Sequence, residues 1–196
     1  MILGITGGTG CGKTTLLQVI QQQGGLVLDC DEIYHKLLET DAQMRNTLKQ
    51  RFPQAFLSGQ LNRKELGRIV FADKAALQEL NAITHTAVRR EVMHQLESAP
   101  SFAAIDAIAL FESGLNTLCD QTVAVIAPEE ARVKRLQLRD GISESYARSR
   151  IAAQHGDDWF RAHCDSVLEN DGTQESFRKK CIAFLISQGI IKNSMC

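Results

Sequence analysis

The stretch Gly7-Gly8-Thr9-Gly10-Cys11-Gly12-Lys13-Thr14-Thr15 decides the fold of this chain. It matches the pattern G-x-x-x-x-G-K-[ST], follows an apolar run over residues 2–5 and precedes a helical pattern of apolar residues over 16–20. Glycines permit positive φ angles, so backbone N–H groups turn inward as a nest for phosphate oxygens. The helix that opens at Lys13 adds the positive end of its dipole. A chance glycine-rich loop would lack this order of strand, loop and helix, so we predict a loop that binds a nucleoside triphosphate.

Two residues of this loop have specific predicted roles. Lys13 reaches the β- and γ-phosphates, and the Thr14 hydroxyl is placed to bind Mg²⁺. The remaining nucleotide contacts are expected from the neighbouring positions Gly8, Thr9, Gly10, Cys11, Gly12 and Thr15.

Composition limits the class of protein. A chain of 196 residues with 44% apolar residues is one domain, or one core with a sizeable insertion. The net charge of −1 indicates no attraction to nucleic acid or to an anionic membrane. The six cysteines are scattered without a C-x-x-C pair, which favours a reducing cytosol. No apolar run is long enough for a signal peptide or a membrane span. We therefore expect a cytoplasmic protein without nucleic-acid or membrane partners, and leave its oligomeric state open.

The order of predicted elements indicates an α/β fold. Strand 2–6, helix 13–23 and strand 26–28 form a βαβ opening. A helical pattern then runs from 31 to about 98, which reads as an insertion on the substrate side. Further strands are predicted over 102–105, 122–126 and 167–168, and further helices from Pro128, over 142–154 and over 173–188. The alternation predicts a parallel sheet covered on both faces, with ligands at the carboxyl ends of the strands.

Several carboxylates are expected at that edge of the sheet. Asp29 and Asp31 end the second strand, and they project on the same side if the chain is still extended there. One of them is a candidate proton acceptor for an attacking hydroxyl, and the other would hold Mg²⁺ through water or orient the acceptor. Alternatively, Asp29 ends the strand and Asp31 caps the helix that follows. Asp106 ends the third strand as a loose Walker B aspartate that binds Mg²⁺, and Glu112 is a second candidate.

Arginines follow at helical spacing. Arg132, Arg135 and Arg139 lie on one predicted helix, and Arg148 and Arg150 lie on the next. Guanidinium groups on a mobile lid stabilise the charge of a transferring phosphoryl group, and Arg139 is the preferred candidate. The alternative is a solvated basic face paired with neighbouring carboxylates.

Three basic residues of the helical segment are candidates for binding an anionic acceptor. His85 and Arg89 share a helix face, and Arg63 lies on an earlier helix. The alternative for His85 is a packed or exposed side chain without a ligand.

These motifs together resemble the dephospho-CoA kinase family from residue 2 to about 172. The phosphate loop is similar to the family opening G-L-T-G-G-x-G-S-G-K-S-T, and Asp29-Cys30-Asp31 resembles D-A-D. In the helical segment, Leu61-Asn62-Arg63 resembles L-D-R and Leu80-Asn81-Ala82-Ile83-Thr84-His85 resembles L-N-x-I-x-H-P. Further along the chain, Leu110-Phe111-Glu112-Ser113-Gly114-Leu115 resembles L-F-E-x-G-L, and Cys164-Asp165 with Asn170 resembles A-D-x-V-I-x-N. The lid of the family is resembled by Arg135, Arg139, Arg150 and Gln154. Departures are Thr86 after His85, Ile108-Ala109 before the L-F-E motif, and Phe160 where a lysine is common, with Arg161 as its possible substitute.

The resemblance implies a fold and an activity. The fold is a P-loop NTPase-type parallel sheet flanked by helices, one domain over 1–196 with an all-helical acceptor-binding insertion at 32–98 and a helical lid at 139–160. The activity is transfer of the γ-phosphoryl group of ATP to the ribose 3′-hydroxyl of dephospho-CoA, with Mg²⁺ as cofactor. The implied roles are Asp31 as base, Lys13 and Arg139 as catalytic charges, Asn170 near the adenine, and Arg63, His85, Arg89 and Glu112 on dephospho-CoA.

Two other functions share part of this pattern. Another small-molecule P-loop kinase, acting on a nucleoside or nucleotide, shares the loop but does not account for the paired aspartates followed at once by a helical insertion. A nucleotide-dependent switch such as a small GTPase requires an N-K-x-D motif, which the sequence lacks.

Overall fold

The computed structural model describes residues 1–191, and five of its strands form one parallel sheet. The strands lie in the order β2-β5-β1-β6-β7, so β1 sits in the middle of the sheet. In β1, Leu3 pairs with Ala104 on one side and Gln121 on the other, both in parallel register. The five strands are β1 (Ile2–Thr6), β2 (Leu26–Asp29), β5 (Ala103–Asp106), β6 (Gln121–Ile126) and β7 (Ser166–Glu169).

Nine α-helices occur within residues 1–191. They are α1 (Lys13–Gln22), α2 (Cys30–Thr40), α3 (Ala42–Arg51), α4 (Arg63–Ala72), α5 (Lys74–Glu97), α6 (Glu129–Asp140), α7 (Glu144–Ala152), α8 (Asp157–His163) and α9 (Gln174–Ser187). None of them is long and apolar enough to cross a lipid bilayer.

The core of the sheet is built from the apolar runs of the sequence. Leu3 and Ile5 of β1 are fully buried, as are Val123 and Val125 of β6. They pack with the apolar faces of α1 and α9, whose buried members are Leu16, Val19, Ile20, Phe177, Cys181 and Leu185. Strands that are buried on both faces read as continuous apolar runs, which is why β1 and β6 were recognisable in the sequence.

The chain divides into two compact units. One comprises Met1–Leu28 together with the residues from Ala99 onward, and the other is Asp29–Ser98. The second unit holds α2 to α5, and side-chain oxygens cap each of these helices. Asp29 caps α2, Asp41 caps α3, Asn62 caps α4 and Asp73 caps α5. Each cap accepts hydrogen bonds from otherwise unsatisfied N–H groups of the first turn.

A short β-hairpin interrupts the helices of the second unit. Strands β3 (Phe56–Leu57) and β4 (Gln60–Leu61) pair antiparallel around Ser58 and Gly59, both of which have positive φ angles. A two-residue loop of this kind is typical of tight hairpins. The helical periodicity did not predict it, because two residues per strand are too few to show an alternating pattern.

The predicted elements are confirmed with boundaries that shift by one or two residues. Helix α7 begins at Glu144 rather than at Ile142, because Ser143 caps it by accepting a hydrogen bond from the Tyr146 N–H at 3.3 Å. Strand β5 ends on Asp106 itself. The segment 139–160, predicted as a lid, contains the end of α6, all of α7 and the start of α8.

Candidate active site

The glycines of the phosphate loop lie where no side chain fits. Gly7 has a φ of 132°, and a Cβ atom there would overlap the backbone carbonyl of Val125 in the neighbouring strand β6. Gly12 has a φ of 99°, and a Cβ atom there would overlap the Asn170 side chain. Both the backbone conformation and the close approach therefore require glycine at these two positions.

Four carbonyls of the loop accept hydrogen bonds from side chains. Lys13 Nζ donates to Gly7 O at 3.0 Å, and Arg132 Nε donates to Thr9 O at 2.9 Å. Arg135 Nη1 donates to Gly10 O at 3.0 Å and to Cys11 O at 3.2 Å. Asn170 Nδ2 also donates to Cys11 O, at 2.8 Å.

These donors determine where the loop N–H groups point. The C=O and N–H of one trans peptide point in opposite directions. The hydrogen bonds turn the carbonyls of Thr9 and Cys11 toward the side chains of Arg132, Arg135 and Asn170. The N–H groups of Gly10 and Gly12 belong to the same two peptides, so they point away from these side chains. This is the arrangement of a nest for phosphate oxygens.

Helix α1 continues the same surface. Gly12 is its N-cap in a left-handed conformation, and among the described residues no side chain caps the helix. The first N–H groups of a helix have no intrahelical acceptor, and the helix dipole favours negative charge at this end. Lys13 is half-buried here, and Thr14 is exposed in the same turn. The geometry suits a polyphosphate, as the sequence predicted.

Arg132 and Arg135 are placed differently from the sequence interpretation. Their helical spacing predicts a mobile lid or, alternatively, a solvated basic face. Arg132 is instead buried at 5% exposure, and both side chains hold the phosphate loop from behind. Helical spacing predicts that they share one face of α6. It carries no information on what that face packs against, so the sequence did not predict their hydrogen bonds to a loop more than 120 residues earlier.

Arg139, the preferred lid residue, is exposed. Its Nε donates to Asp140 Oδ1 at 2.6 Å, and Arg150 Nη1 donates to the other oxygen of Asp140 at 2.8 Å. The two guanidinium groups lower the pKa of Asp140 to about 2. Arg148 bonds Glu129, Glu130 and Glu144, as the alternative of a solvated, paired face predicts for it.

A cavity of about 270 Å³ lies beside the loop. Gly8, Glu112 and His155 line it, and so do Ile108 and Ala109. His155 Nε2 lies 2.7 Å from Glu112 Oε1. The predicted substrate residue Glu112 and the phosphate loop are therefore brought together.

The donors predicted for Mg²⁺ are a hydroxyl and a carboxylate. Thr14 lies in the first turn of α1, and Asp106 ends β5, the strand next to β1. Among residues 1–191, no group of three or more His, Cys, Asp or Glu side chains is arranged to hold a metal ion. A phosphate-bound Mg²⁺ uses only one or two protein ligands and completes its shell with water and phosphate oxygens, so this donor set fits that ion.

Asp29 and Asp31 do not share one side of an extended strand. Helix α2 begins at Cys30, and Asp29 caps it by accepting hydrogen bonds from the N–H groups of Asp31 at 2.9 Å and Glu32 at 3.0 Å. The condition for a shared side, a chain that is still extended at Asp31, is not met, because the cap at Asp29 starts the helix at once. Asp29 is thus the capping residue, whereas Asp31 is exposed in the first turn and its carboxylate is not the cap.

The basic residues of the unit Asp29–Ser98 line two recesses. Arg63 Nη2 lies 2.8 Å from His35 Nδ1, and both line a cavity of about 260 Å³. Arg89 lines a separate groove along α5, and His85 lies one turn before it, half-buried. The sequence analysis did not name His35 as a candidate binding residue, because a single histidine four residues after Asp31 belongs to no recognisable motif.

Comparison with known proteins identifies the family. The family model for dephospho-CoA kinase matches residues 1–176. This chain belongs to the dephospho-CoA kinase family. A dephospho-CoA kinase from Corynebacterium diphtheriae is 36% identical over 180 residues, which cover 89% of this chain and 90% of the relative. Members of the family phosphorylate dephospho-CoA with ATP, the last step in the synthesis of coenzyme A.

Solved structures agree with this family assignment. A crystal structure from Thermus thermophilus has a TM-score of 0.82 and 34% identity, covering 95% of this chain and 97% of that one. A dephospho-CoA kinase from Campylobacter jejuni has a TM-score of 0.67 and 26% identity, covering 97% of this chain and 98% of that one.

One departure from the pattern of the dephospho-CoA kinase family has a structural explanation. Phe160, at a position where lysine is common, is buried and packs on Ala124 and Ile126 of β6. Arg161 beside it is exposed and pairs with Glu169. The position therefore belongs to the apolar core of this member of the family.

Proposed function

We propose that this chain transfers the γ-phosphoryl group of Mg·ATP to the ribose 3′-hydroxyl of dephospho-CoA. The observation that carries the proposal is the phosphate loop, in which Arg132, Arg135 and Asn170 donate hydrogen bonds to the carbonyls of Thr9, Gly10 and Cys11. Membership of the dephospho-CoA kinase family supplies the acceptor. The five cysteines within residues 1–191 are free thiols, which supports a reducing cytosol as the location.

Lys13 and the loop N–H groups would bind the triphosphate. On binding, the ammonium of Lys13 exchanges its hydrogen bond to Gly7 O for oxygens of the β- and γ-phosphates. Thr14 and Asp106 would hold Mg²⁺, which supplies positive charge to the phosphate oxygens when bound. Asn170 Oδ1 is buried and has no hydrogen-bond partner among residues 1–191, which supports a donor such as the adenine amino group as its partner.

Asp31 is the proposed general base. It follows strand β2 directly, it is exposed, and the neighbouring Asp29 rather than Asp31 serves as the helix cap. Its carboxylate is therefore available to accept the proton of the attacking hydroxyl when the acceptor lies within hydrogen-bond reach. The protein contributes chiefly by positioning and charge, since phosphoryl transfer requires little covalent chemistry from side chains.

Four residues are proposed to bind dephospho-CoA, and one to close over it. Arg63, His85 and Arg89 offer donors suited to its phosphates, and Glu112 lines the cavity beside the loop. Arg139 would leave Asp140 to stabilise the transferring group when the segment 139–160 closes.

An assay of ADP release tests the proposal. Mg·ATP is supplied with dephospho-CoA, adenosine, AMP, CMP or no acceptor, and the product is identified by mass. We expect release with dephospho-CoA alone, with coenzyme A as the product, and reduced release from a Lys13→Ala variant. Release with a nucleoside or nucleotide alone would assign the chain to another small-molecule kinase, and equal release without acceptor would indicate an ATPase.

A further inference from the structure

The two peptide groups on either side of Thr9 are both held by side chains. Gln154 Oε1 accepts a hydrogen bond from the Thr9 N–H at 2.8 Å, and Arg132 Nε donates to the Thr9 carbonyl at 2.9 Å. Arg132 Nη2 donates to the same Gln154 oxygen at 3.1 Å, which closes the network. Thr9 and Arg132 are both buried, at 7% and 5% exposure.

The loop sequence is adapted to this network. A Cβ atom on Gly8 would overlap the Arg132 guanidinium and would lie 3.1 Å from Gln154 Oε1. A Cβ atom on Gly10 would lie 2.9 Å from the Arg132 carbonyl. The two glycines that flank Thr9 therefore leave room for the arginine and the glutamine.

The charge of Arg132 is not neutralised. Its hydrogen-bond acceptors, Thr9 O and Gln154 Oε1, are neutral, and no carboxylate within residues 1–191 forms an ion pair with it. A buried charge without a counterion is costly. An anionic ligand on the opposite side of the loop would offset that cost, because Coulomb attraction is strong where water is excluded.

We propose that Arg132 and Gln154 are positioning residues for nucleotide binding, a proposal that rests on the proposed kinase function. Arg132 fixes the peptide between Thr9 and Gly10 so that the Gly10 N–H faces the phosphates, and Gln154 fixes the preceding peptide between Gly8 and Thr9. Arg132 also adds a positive charge that has no ion-pair partner among residues 1–191. Gln154 also joins the loop to the end of the segment predicted as the lid.

Five variants test this pair. They are Arg132→Met, Arg132→Lys, Gln154→Leu, Gln154→Glu and the double variant with methionine and leucine. The pair Arg178 and Gln22 provides a matched control, because Arg178 Nη2 donates to Gln22 Oε1 at 2.8 Å on the surface between α9 and α1. The measurements are Kd for Mg·ATP and for AMP, KM for dephospho-CoA, and thermal unfolding.

We expect Arg132→Met to raise the Kd for Mg·ATP by about tenfold to a hundredfold, since a hydrogen bond from a charged donor is lost in a buried site. AMP, which lacks the β- and γ-phosphates, should be affected much less. Arg132→Lys should bind Mg·ATP more tightly than Arg132→Met, and Gln154→Glu more tightly than Gln154→Leu. The rise in Kd for the double variant should be smaller than the product of the rises for the two single variants. KM for dephospho-CoA should stay within about twofold, as should all values for Arg178→Met and Gln22→Leu.

Unchanged Kd for Mg·ATP in folded Arg132→Met and Gln154→Leu would overturn the proposal, as would equal losses for ATP and AMP. If Arg132→Met fails to fold, Arg132→Lys and Gln154→Leu decide by the same comparison of ATP with AMP. Wild-type protein that binds Mg·ATP but does not phosphorylate dephospho-CoA would refute the proposed function and leave this inference standing.

Discussion

Two buried or half-buried arginines in the unit with the phosphate loop and two exposed arginines in the unit Asp29–Ser98 bind different kinds of partner. In the unit that holds the phosphate loop, Arg132 and Arg135 donate to backbone carbonyls and are buried or half-buried. In the unit Asp29–Ser98, Arg51 and Arg68 pair with Glu79 and Glu65 on the surface. A donor on a buried carbonyl fixes the direction of a peptide, whereas an exposed ion pair contributes little to stability.

This difference leads to separate expectations for the two units. Changes to the side chains that hold the loop should alter nucleotide affinity or stability. Substitutions in the unit Asp29–Ser98 should leave the affinity for the nucleotide unchanged. Within that unit, only substitutions of residues that contact the acceptor should alter turnover.

The largest effect is expected for Asp31→Asn. If Asp31 is the general base, turnover should fall by about a hundredfold to ten-thousandfold, while the Kd for Mg·ATP stays unchanged. The rate of coenzyme A formation and calorimetric titration with ATP measure the two quantities. Glu32→Gln, the next exposed carboxylate on the same helix, is the control and should remain active. Turnover near that of the wild type would remove Asp31 from the mechanism.

A smaller loss is expected for Lys13→Ala, and it should appear in affinity as well as in rate. Removing a charged donor to the phosphates should raise the Kd for Mg·ATP by about tenfold to a hundredfold. Calorimetry on the folded variant gives that value, with the exposed Lys179→Ala as control. Wild-type affinity and full activity in Lys13→Ala would refute the assignment of the phosphate loop.

The third largest effect is expected for Asn170→Ala, which should make the protein less stable. It removes a buried donor to Cys11 O, so the free energy of unfolding should fall by about 1–3 kcal/mol. Urea denaturation measures this change, with Asn81→Ala, at an exposed site on α5, as a control expected to stay within about 0.5 kcal/mol. Equal stability of the two variants would mean that Arg135 alone suffices to hold the Cys11 carbonyl.

The smallest effect is expected for Arg51→Gln. Arg51 Nη2 donates to Glu79 Oε1 at 3.0 Å, and both side chains are nearly half exposed, at 47% and 44%. The free energy of unfolding should fall by about 0.2–1 kcal/mol, and the difference from wild type should shrink in high salt. Denaturation at two salt concentrations checks this, with turnover measured alongside. A loss above about 3 kcal/mol would contradict the contrast between the units.

Local patterns made the phosphate loop and the sheet predictable. The loop motif fixes residue types at positions that are close in sequence, and the buried strands are continuous apolar runs. A capped helix directly after β2 was foreseen as an alternative for the same reason, because a cap involves neighbouring residues, but that alternative assigned the cap to Asp31 and not to Asp29.

Contacts between distant residues escaped prediction. Helical spacing showed that Arg132 and Arg135 share a face but not that the face packs on Thr9 and Cys11. His35 and Arg63 likewise meet across 28 positions of chain. The hairpin at Phe56–Leu61 was missed for a different reason, since its strands are too short to carry a pattern.

Burial of Cys11 has a consequence for the chemistry of the thiol. Helix N-termini and nearby cations usually favour the reactive thiolate, and Arg132 and Lys13 do lower the pKa here. Burial outweighs them and raises the pKa of Cys11 above its ordinary value, and the side chain is fully enclosed. Peroxide and electrophilic reagents attack thiolates that they can reach. The nucleotide loop of this enzyme should therefore stay unmodified under oxidative stress, although it carries a cysteine at its centre.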